Sequence, residues 1–333
     1  MTDTNHIETA EFAAIKARTR AEYLTTGRDG KLASYLREMT VNVEDCELGA
    51  GSKRRALFVI GESGSGKTRS LQHHFATMPE FRPYRNEHGE TVSPVLSIDA
   101  PRPCNTKALA ITILTAMGLP TRERMTEHAL FTVLKTQLRE RGVKYLHVDE
   151  MQHVMRHNTA TAIRQVQDTL KSLVQIGDWP LHTIYSGVSE LAELLKGDPQ
   201  LANRSRVLRY DALSCPADAK WIESILRKVA TEGCGLTLSA ELLEGDFSEK
   251  LCSAGNGAFG SIIAMVQEAC FRALERGRKS VTIKEFARNY ERDTGCTPRD
   301  NIFSAARWRD LVPAHALADL APENTLRTRG KSR

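Results

Sequence analysis

The sequence lacks the patterns typical of membrane proteins, of secreted proteins and of zinc-binding proteins. None of its seven cysteines stands in a C-x-x-C pair, which argues against both a disulfide framework and a zinc site. No stretch approaches the ~18 consecutive apolar residues of a membrane span. Residues 1–10 carry acidic side chains instead of a basic segment followed by an apolar run. We therefore expect a cytoplasmic protein.

The composition is that of an ordinary globular chain. Hydrophobic residues make up 41% of the sequence and charged residues 26%, which excludes wholesale disorder and fibrous classes. A length of 333 residues suits one large α/β domain and a smaller one. The formal net charge of +5 permits contact with a polyanion but is too small to predict one.

Strand and helix patterns alternate through the middle of the chain. Short apolar runs predict strands at 56–60, 94–99, 144–149, 182–186 and 207–210, and the segments between them favour helices. This order predicts a mostly parallel sheet with helices on both faces, a three-layer α/β core.

The remaining segments differ from this core in composition and pattern. Residues 1–50 are predicted to form a helical N-terminal extension, with helices at 8–24 and 31–39 and a polar linker from residue 40. The core spans 51–213, only helices follow over 214–294, and 295–333 is a tail with a basic end.

Residues 61–68 match G-x-x-x-x-G-K-[ST] in full, between a predicted strand and a predicted helix. The bent backbone of such a loop points N–H groups at phosphate oxygens, and the next helix adds its positive end. Lys67 is predicted to reach the β- and γ-phosphates of ATP, and the Thr68 hydroxyl to coordinate Mg²⁺. A glycine- and serine-rich surface turn is the alternative, which the flanking strand and helix disfavour. The predicted nucleotide-binding residues are Gly61, Glu62, Ser63, Gly64, Ser65, Gly66, Lys67, Thr68 and Arg69.

The third predicted strand, at 144–149, ends at Asp149, and a second acid, Glu150, follows it directly. Asp149 at the strand tip is predicted to hold Mg²⁺ through water, and Glu150 to polarise the attacking water. The pair favours hydrolysis over phosphoryl transfer to a metabolite; two solvated acids closing a strand are the alternative. His153 and His157 are interpreted as polar loop residues, because no third metal ligand follows at a suitable spacing.

Three further residues are predicted to act at the γ-phosphate. Ser186 ends the fourth strand, where a hydroxyl can touch the phosphate or position water, although a plain strand exit fits as well. Arg204 and, as second choice, Arg206 precede the last strand, where an arginine can enter the site of a neighbouring subunit and stabilise transition-state charge. A solvated surface arginine is the alternative for either one.

These motifs together resemble the AAA+ ATPases, and within them the TniB/TnsC family of transposition regulators. The resemblance covers about residues 56–290 and rests on the phosphate loop, the acid pair, the arginine pair and the segment Pro101-Arg102-Pro103. It implies an ATP-dependent homo-oligomer, a ring or helical filament, that wraps double-stranded DNA and delivers a target site to a DDE-type transposase. Hydrolysis would then time disassembly, and residues 214–294 would be a helical lid. The segment Gly255–Gly260 contains no arginine, so a second sensor arginine is not expected there.

DNA and transposase contacts are the least constrained of these expectations. Arg102, Lys107, Arg122 and Arg124 lie between the second and third strands, where loops facing a ring channel would be, although a solvated helical surface fits equally. In the tail, Trp308, Leu311 and Val312 are predicted apolar anchors for a transposase, and a frayed end is the alternative.

Two other functions share parts of this pattern. An ATPase scaffold of an origin-binding or secretion system would carry every catalytic residue named above. A P-loop kinase for a small molecule is disfavoured by the adjacent acids and by the helical region after the sheet.

Overall fold

The computed structural model describes residues 9–121, 125–156, 158–176 and 179–311. Contacts divide these residues into two units, one formed by residues 25–211 and the other by residues 9–24 together with 212–311. No helix among the described residues is both long enough and apolar enough to cross a bilayer.

The helices and strands follow one another in the order expected for the core. The helices are α1 Thr9–Ala21, α2 Gly27–Glu47, α3 Lys67–Thr77, α4 Thr106–Ala116, α5 Glu127–Glu140, α6 Ala160–Leu173, α7 Ala192–Lys196, α8 Pro199–Asn203, α9 Ala219–Arg227, α10 Phe247–Ala254, α11 Phe259–Glu275 and α12 Ile283–Thr294. The strands are β1 Ala56–Gly61, β2 Tyr84–Arg85, β3 Thr91–Val92, β4 Val95–Asp99, β5 Tyr145–Asp149, β6 His182–Gly187, β7 Ser205–Tyr210, β8 Thr237–Leu238 and β9 Ser280–Val281.

Five of the strands form one sheet in the order β4-β5-β6-β1-β7, with every neighbouring pair parallel. One face packs its apolar side chains against α4, α5 and α6, and the other packs against α2 and α3. The central strands β1, β5 and β6 are almost completely buried, as expected for a sheet covered on both sides. The predicted three-layer core with a mostly parallel sheet is confirmed.

The strand order brings the two predicted motifs to one edge of the sheet. Strand β6 lies between β1 and β5, and its register pairs Ile60 with Gly187 and Tyr185 with Val148. The carboxyl ends of all three strands therefore meet at the same edge. The loop after β1 and the acids at the end of β5 flank the end of β6.

Helix α2 is longer than the helix predicted at 31–39 and includes much of the predicted linker. Its apolar residues recur at a spacing of three and four and are all buried, on the α2 side of the sheet. They are Leu32, Leu36, Met39 and Val43. Because Thr40 and Asn42 are polar, the sequence favours a linker at this point. Both residues are nevertheless buried in the fold.

The second unit is helical and has its own apolar core, formed by residues of α9 to α12. The predicted N-terminal extension at 1–50 is divided between the two units. Helix α1 packs on the helical unit, where the ring of Phe12 contacts that of Phe271, and α2 packs on the sheet. Residues 214–294 are not purely helical, because Thr237 and Leu238 pair with Ser280 and Val281 in a short parallel ladder.

Candidate nucleotide-binding site

The loop between β1 and α3 has the bent backbone that the motif predicts. Gly64 and Gly66 have φ angles of 73° and 91°, a left-handed conformation that side chains other than glycine adopt with strain. Gly66 directly precedes α3, so the loop leads into the positive end of that helix. A Cβ atom at Gly61 would lie 2.6 Å from the Cβ of Tyr210. This geometry fits a cradle for phosphate groups.

Lys67 is buried and its amino group lies within the loop. The Nζ atom donates hydrogen bonds to the carbonyl oxygens of Gly61 (2.6 Å) and Glu62 (3.0 Å) and to Ser65 Oγ (3.2 Å). Burial lowers the pKa of Lys67, while the carboxylates of Asp149, Glu150 and Glu62 act in the opposite direction. The three hydrogen bonds hold the amine inside the loop, where the phosphates of a nucleotide would lie.

Asp149 is the centre of the polar contacts at this edge of the sheet. Its Oδ2 atom accepts from the hydroxyl of Thr68 at 2.5 Å, and its Oδ1 atom accepts from the hydroxyl of Ser186 at 2.6 Å and from the Glu150 N–H at 2.8 Å. Burial raises the pKa of Asp149, but these hydrogen bonds outweigh it and lower the pKa below its ordinary value. Asp149 is therefore ionised, as a metal ligand must be.

A buried histidine on the same strand supports this arrangement. The ring of His147 lies 2.8 Å from Ser186 Oγ through Nε2 and 2.7 Å from Ser97 Oγ through Nδ1. Ser186 has one hydroxyl hydrogen, which it gives to Asp149, so it must accept from His147 Nε2–H. Nδ1 of the neutral ring then accepts from Ser97. Burial lowers the pKa of His147 to about 4, which keeps the ring neutral.

Glu150 stands in a strained backbone position, with a φ of 54°. Its side chain is 46% exposed, and His153 Nε2 lies 3.9 Å from Oε2. His153 lies on the helical turn Met151–Val154, is buried, and accepts from Arg102 Nε at 2.5 Å through Nε2. His157 lies outside the described residues.

The side chains at this edge fit a magnesium-bound triphosphate. A glycine cradle, one amine, one hydroxyl and two adjacent carboxylates are the groups that such a ligand requires. Lys67 would hold phosphate oxygens, and Thr68 and Asp149 would hold the cation. When bound, Mg²⁺ would neutralise charge on the phosphates.

The three residues predicted to act at the γ-phosphate have partners within the chain. Ser186 is completely buried and is committed to Asp149 and His147. Arg204 precedes β7 and lies against the side-chain amide of Gln175. Arg206 does not precede the strand as predicted, since β7 begins at Ser205, and it forms an ion pair with Glu38 of α2.

The basic residues predicted to bind DNA are only partly described. Arg102 follows β4 and is bound to His153, and Lys107 lies in the first turn of α4. Arg122 and Arg124 lie outside the described residues, as does Val312 of the tail. Arg69, the last of the predicted nucleotide-binding residues, is exposed on α3.

Trp308 is not available as the predicted anchor for a partner. Only 7% of the residue is exposed, and its Nε1–H donates to Asp246 at 2.6 Å. Leu311 packs against the same helical core. The aromatic ring and the indole N–H of Trp308 both find their partners inside the helical unit. The sequence of the tail alone does not show this.

Sequence reasoning missed two residues at the start of α2 that contact the phosphate loop and α3. Arg28 donates to the carbonyl of Ser65 at 3.4 Å, and Asp29 accepts from the hydroxyl of Ser70 at 2.6 Å. The capping box formed by Thr26 and Asp29 was the available signal, since it marks the helix start, although not its position beside the loop.

Comparison with known proteins identifies the fold and the family of this chain. No curated protein matches the sequence significantly. Solved structures with the same fold include Cdc6p from Pyrobaculum aerophilum (15% identity, 86% of this chain and 75% of that chain, TM-score 0.57) and the Aeropyrum pernix ORC2 protein (15%, 84% and 72%, 0.58). A third is the Aeropyrum pernix ORC1 protein in complex with DNA (15%, 84% and 70%, 0.56). At such identities the likeness concerns the fold alone, which is that of the AAA+ ATPases. The profile of the family described as Bacterial TniB protein matches residues 35–213, and the chain therefore belongs to the TniB family.

Proposed function

We propose that this protein is a Mg²⁺-dependent ATPase of the cytoplasm that assembles on double-stranded DNA and regulates DNA transposition. The observation that carries the ATPase part is the contact between Thr68 and Asp149, which joins the phosphate loop to the acid pair. In this proposal Glu150 polarises the attacking water, Lys67 holds the phosphates, and Thr68 and Asp149 hold the cation.

Ser186 has a different part in this proposal from the one its strand position predicted. Because its hydroxyl hydrogen is given to Asp149 and the residue is completely buried, it orients the metal-binding carboxylate. Arg204 and Arg206 are proposed to act on the nucleotide of a neighbouring subunit in a homo-oligomer, after exchanging Gln175 or Glu38 for phosphate.

The DNA and transposition parts are supported by the family and by the basic residues beside the site. Membership of the TniB family favours transposition over an origin-binding or secretion scaffold. The ORC1 protein of similar fold was solved in complex with DNA, which makes DNA a reasonable ligand for this fold. Arg102 and Lys107 are proposed phosphate contacts, repeated in each subunit around the assembly. A DDE-type transposase is the proposed partner, and since Trp308 is buried, its contact is proposed for residues 312–333.

The test has two parts. ATP hydrolysis is measured with and without duplex DNA, and particle size is measured with and without each of the two ligands, ATP and duplex DNA. Growth into rings or filaments that needs both ligands is the expected result, with Arg102→Ala and Lys107→Ala weakening DNA binding and flattening its dependence on salt. Glu193→Ala on the exposed side of α7 serves as a control. A monomer whose size and ATPase rate ignore DNA would overturn the proposal.

A further inference from the structure

Gln152 forms a buried bridge between Glu150 and the end of β6. It lies on the helical turn Met151–Val154, and only 2% of the residue is exposed. Its Nε2 atom donates to Glu150 Oε2 at 2.7 Å, and its Oε1 atom accepts from the backbone N–H of Val188 at 3.2 Å. One side chain thus joins two segments that are 36 residues apart in sequence.

The direction of the amide in this bridge is fixed by its two partners. A backbone N–H can only donate and an ionised carboxylate can only accept, so the amide oxygen faces Val188 and the NH₂ group faces Glu150. A buried amide costs free energy unless both ends find partners, and this one has both.

Gly187 leaves the room that the bridge needs. A Cβ atom at that position would lie 2.4 Å from Gln152 Oε1 and 3.4 Å from the Gln152 backbone nitrogen. The first distance is shorter than any normal contact, so a larger residue would displace the amide oxygen. Gly187 and Gln152 are therefore matched to each other at the end of β6.

Glu150 needs such support because its backbone is strained. A non-glycine residue with a left-handed φ persists only where its surroundings hold it, and the φ of Glu150 is 54°. The bond from Gln152 holds the carboxylate end of the same residue. Asp149 is tied to β6 in a similar way through Ser186.

We propose that Gln152 is a positioning residue for ATP hydrolysis, which fixes the carboxylate of Glu150 relative to the end of β6. The end of one strand then sets the position of both acids, Asp149 through Ser186 and Glu150 through Gln152 and Val188. The inference rests on the proposed ATPase function, in which Glu150 polarises the attacking water. Gln152 itself contacts neither nucleotide nor water in this role.

The decisive variants remove the bridge in two independent ways. Gln152→Met keeps the length and packing of the side chain but loses both hydrogen bonds. Gly187→Ala leaves Gln152 in the sequence but places a methyl group where its oxygen lies. Each should lower kcat on the order of tenfold or more, since misplacing a catalytic group slightly is costly, and leave the affinity for a fluorescent ATP analogue within about twofold.

Matched controls are available on helices α2 and α6. Gln165→Ala changes an exposed glutamine of α6, and Gly30→Ala adds a methyl group to α2 where no atom lies within 4 Å. Both should keep the kcat and the nucleotide affinity of the natural protein.

A double-mutant cycle tests the bridge without any nucleotide. Gln152→Ala removes the oxygen that a Cβ at position 187 would meet, so adding Gly187→Ala to it should cost much less unfolding free energy in urea than Gly187→Ala alone. Additive effects in this cycle would overturn the inference, because they would mean that the two positions do not meet.

The outcomes separate this inference from the proposed function. Normal kcat in Gln152→Met and Gly187→Ala overturns the positioning role and leaves the ATPase function intact. Loss of nucleotide binding in both variants also overturns it, since Gln152 would then maintain the fold of the whole site. If the natural protein binds ATP and never hydrolyses it, with or without DNA, the proposed function and this inference both fail.

Discussion

The hydroxyl of Thr68 donates a hydrogen bond of 2.5 Å to Asp149, across a separation of 81 residues in sequence. Thr68 stands in the first turn of α3, directly after the glycine loop, and Asp149 ends β5. The two motifs are not on adjacent strands, because β6 separates β1 from β5. The contact between Thr68 and Asp149 therefore brings the phosphate loop and the acid pair together in one site.

Replacing Lys67 tests the phosphate-binding role of the loop. Lys67→Ala removes the amine that lies within the loop, and we expect the affinity for ATP to fall at least tenfold, with loss of ATP-dependent assembly. Titration with a fluorescent ATP analogue measures this. Lys31→Ala, at an exposed position of α2, should bind as the natural protein does. Unchanged ATP affinity in Lys67→Ala would refute the role.

Replacing Ser186 tests the support of Asp149. Ser186→Ala removes a hydrogen bond to a buried charge and leaves His147 Nε2–H without its partner, so the unfolding free energy at pH 7.5 should fall by about 1 to 3 kcal/mol. Urea unfolding measures the change. Ser189→Ala, at an exposed position three residues further on, should change stability little. Equal stability of the two variants would mean that the Ser186 hydroxyl does not hold Asp149.

Two buried histidines predict the response of stability to acid. Burial lowers the pKa of both His147 and His182 to about 4, whereas an unfolded histidine titrates near 6.5. Below pH 6.5 the unfolded chain binds protons that the native protein does not, so the stabilisation is complete above that pH and declines as the pH falls towards 4. We expect about 2 kcal/mol less unfolding free energy per histidine at pH 5.0 than at pH 7.5.

A conservative variant isolates the contribution of one of these rings. His147→Gln keeps an N–H donor for Ser186 but cannot titrate, so the difference in unfolding free energy between pH 7.5 and 5.0 should shrink by about 2 kcal/mol. Urea unfolding at the two pH values measures it. An unchanged difference would show that His147 is protonated as easily in the native protein as in the unfolded chain.

The sequence was sufficient to identify the two motifs because each of them is local. The glycine loop needs only the residues of one turn, and an apolar strand that ends in two acids is visible in six positions. The sheet followed from the alternation of strands and helices, whose side chains repeat with different periods. Gln152 gave no such signal, since its role depends on Val188 and Gly187, which only the fold brings near.

Other differences have similar physical causes. His147 is a polar residue within an apolar strand, and nothing local shows that Ser97 and Ser186 satisfy it from the neighbouring strands. The burial of Trp308 is hard to predict because the partner of its indole N–H, Asp246, lies 62 residues away in the sequence. Long-range pairing of polar groups is what a single sequence conceals.

Mixing variants tests whether an arginine acts between subunits. Glu150→Gln subunits hold ATP, assemble on DNA and can supply an arginine but do not polarise the water, whereas Arg204→Ala subunits keep Glu150 and lack that arginine. Their mixture on DNA should hydrolyse ATP faster than the sum of the two alone, because a trans arginine is worth ~10³ to 10⁵ in rate. The same experiment with Arg206→Ala decides between the two residues. Arg209→Ala on the same strand, with 76% of its side chain exposed, should retain activity without mixing. A mixture no faster than its parts for both arginines would contradict the trans role.

The most direct test of the site as a whole is ATP turnover by Glu150→Gln. The variant keeps a side chain of the same size while removing the carboxylate that polarises water, so it should bind Mg²⁺ and ATP, hold the unhydrolysed nucleotide and stabilise the assembly on DNA. Phosphate release and the nucleotide recovered from the protein measure both effects, and retained ATP with release slowed at least a hundredfold is the predicted result. Phosphate release at the natural rate would contradict the assignment of Glu150 and the account of the site built on it.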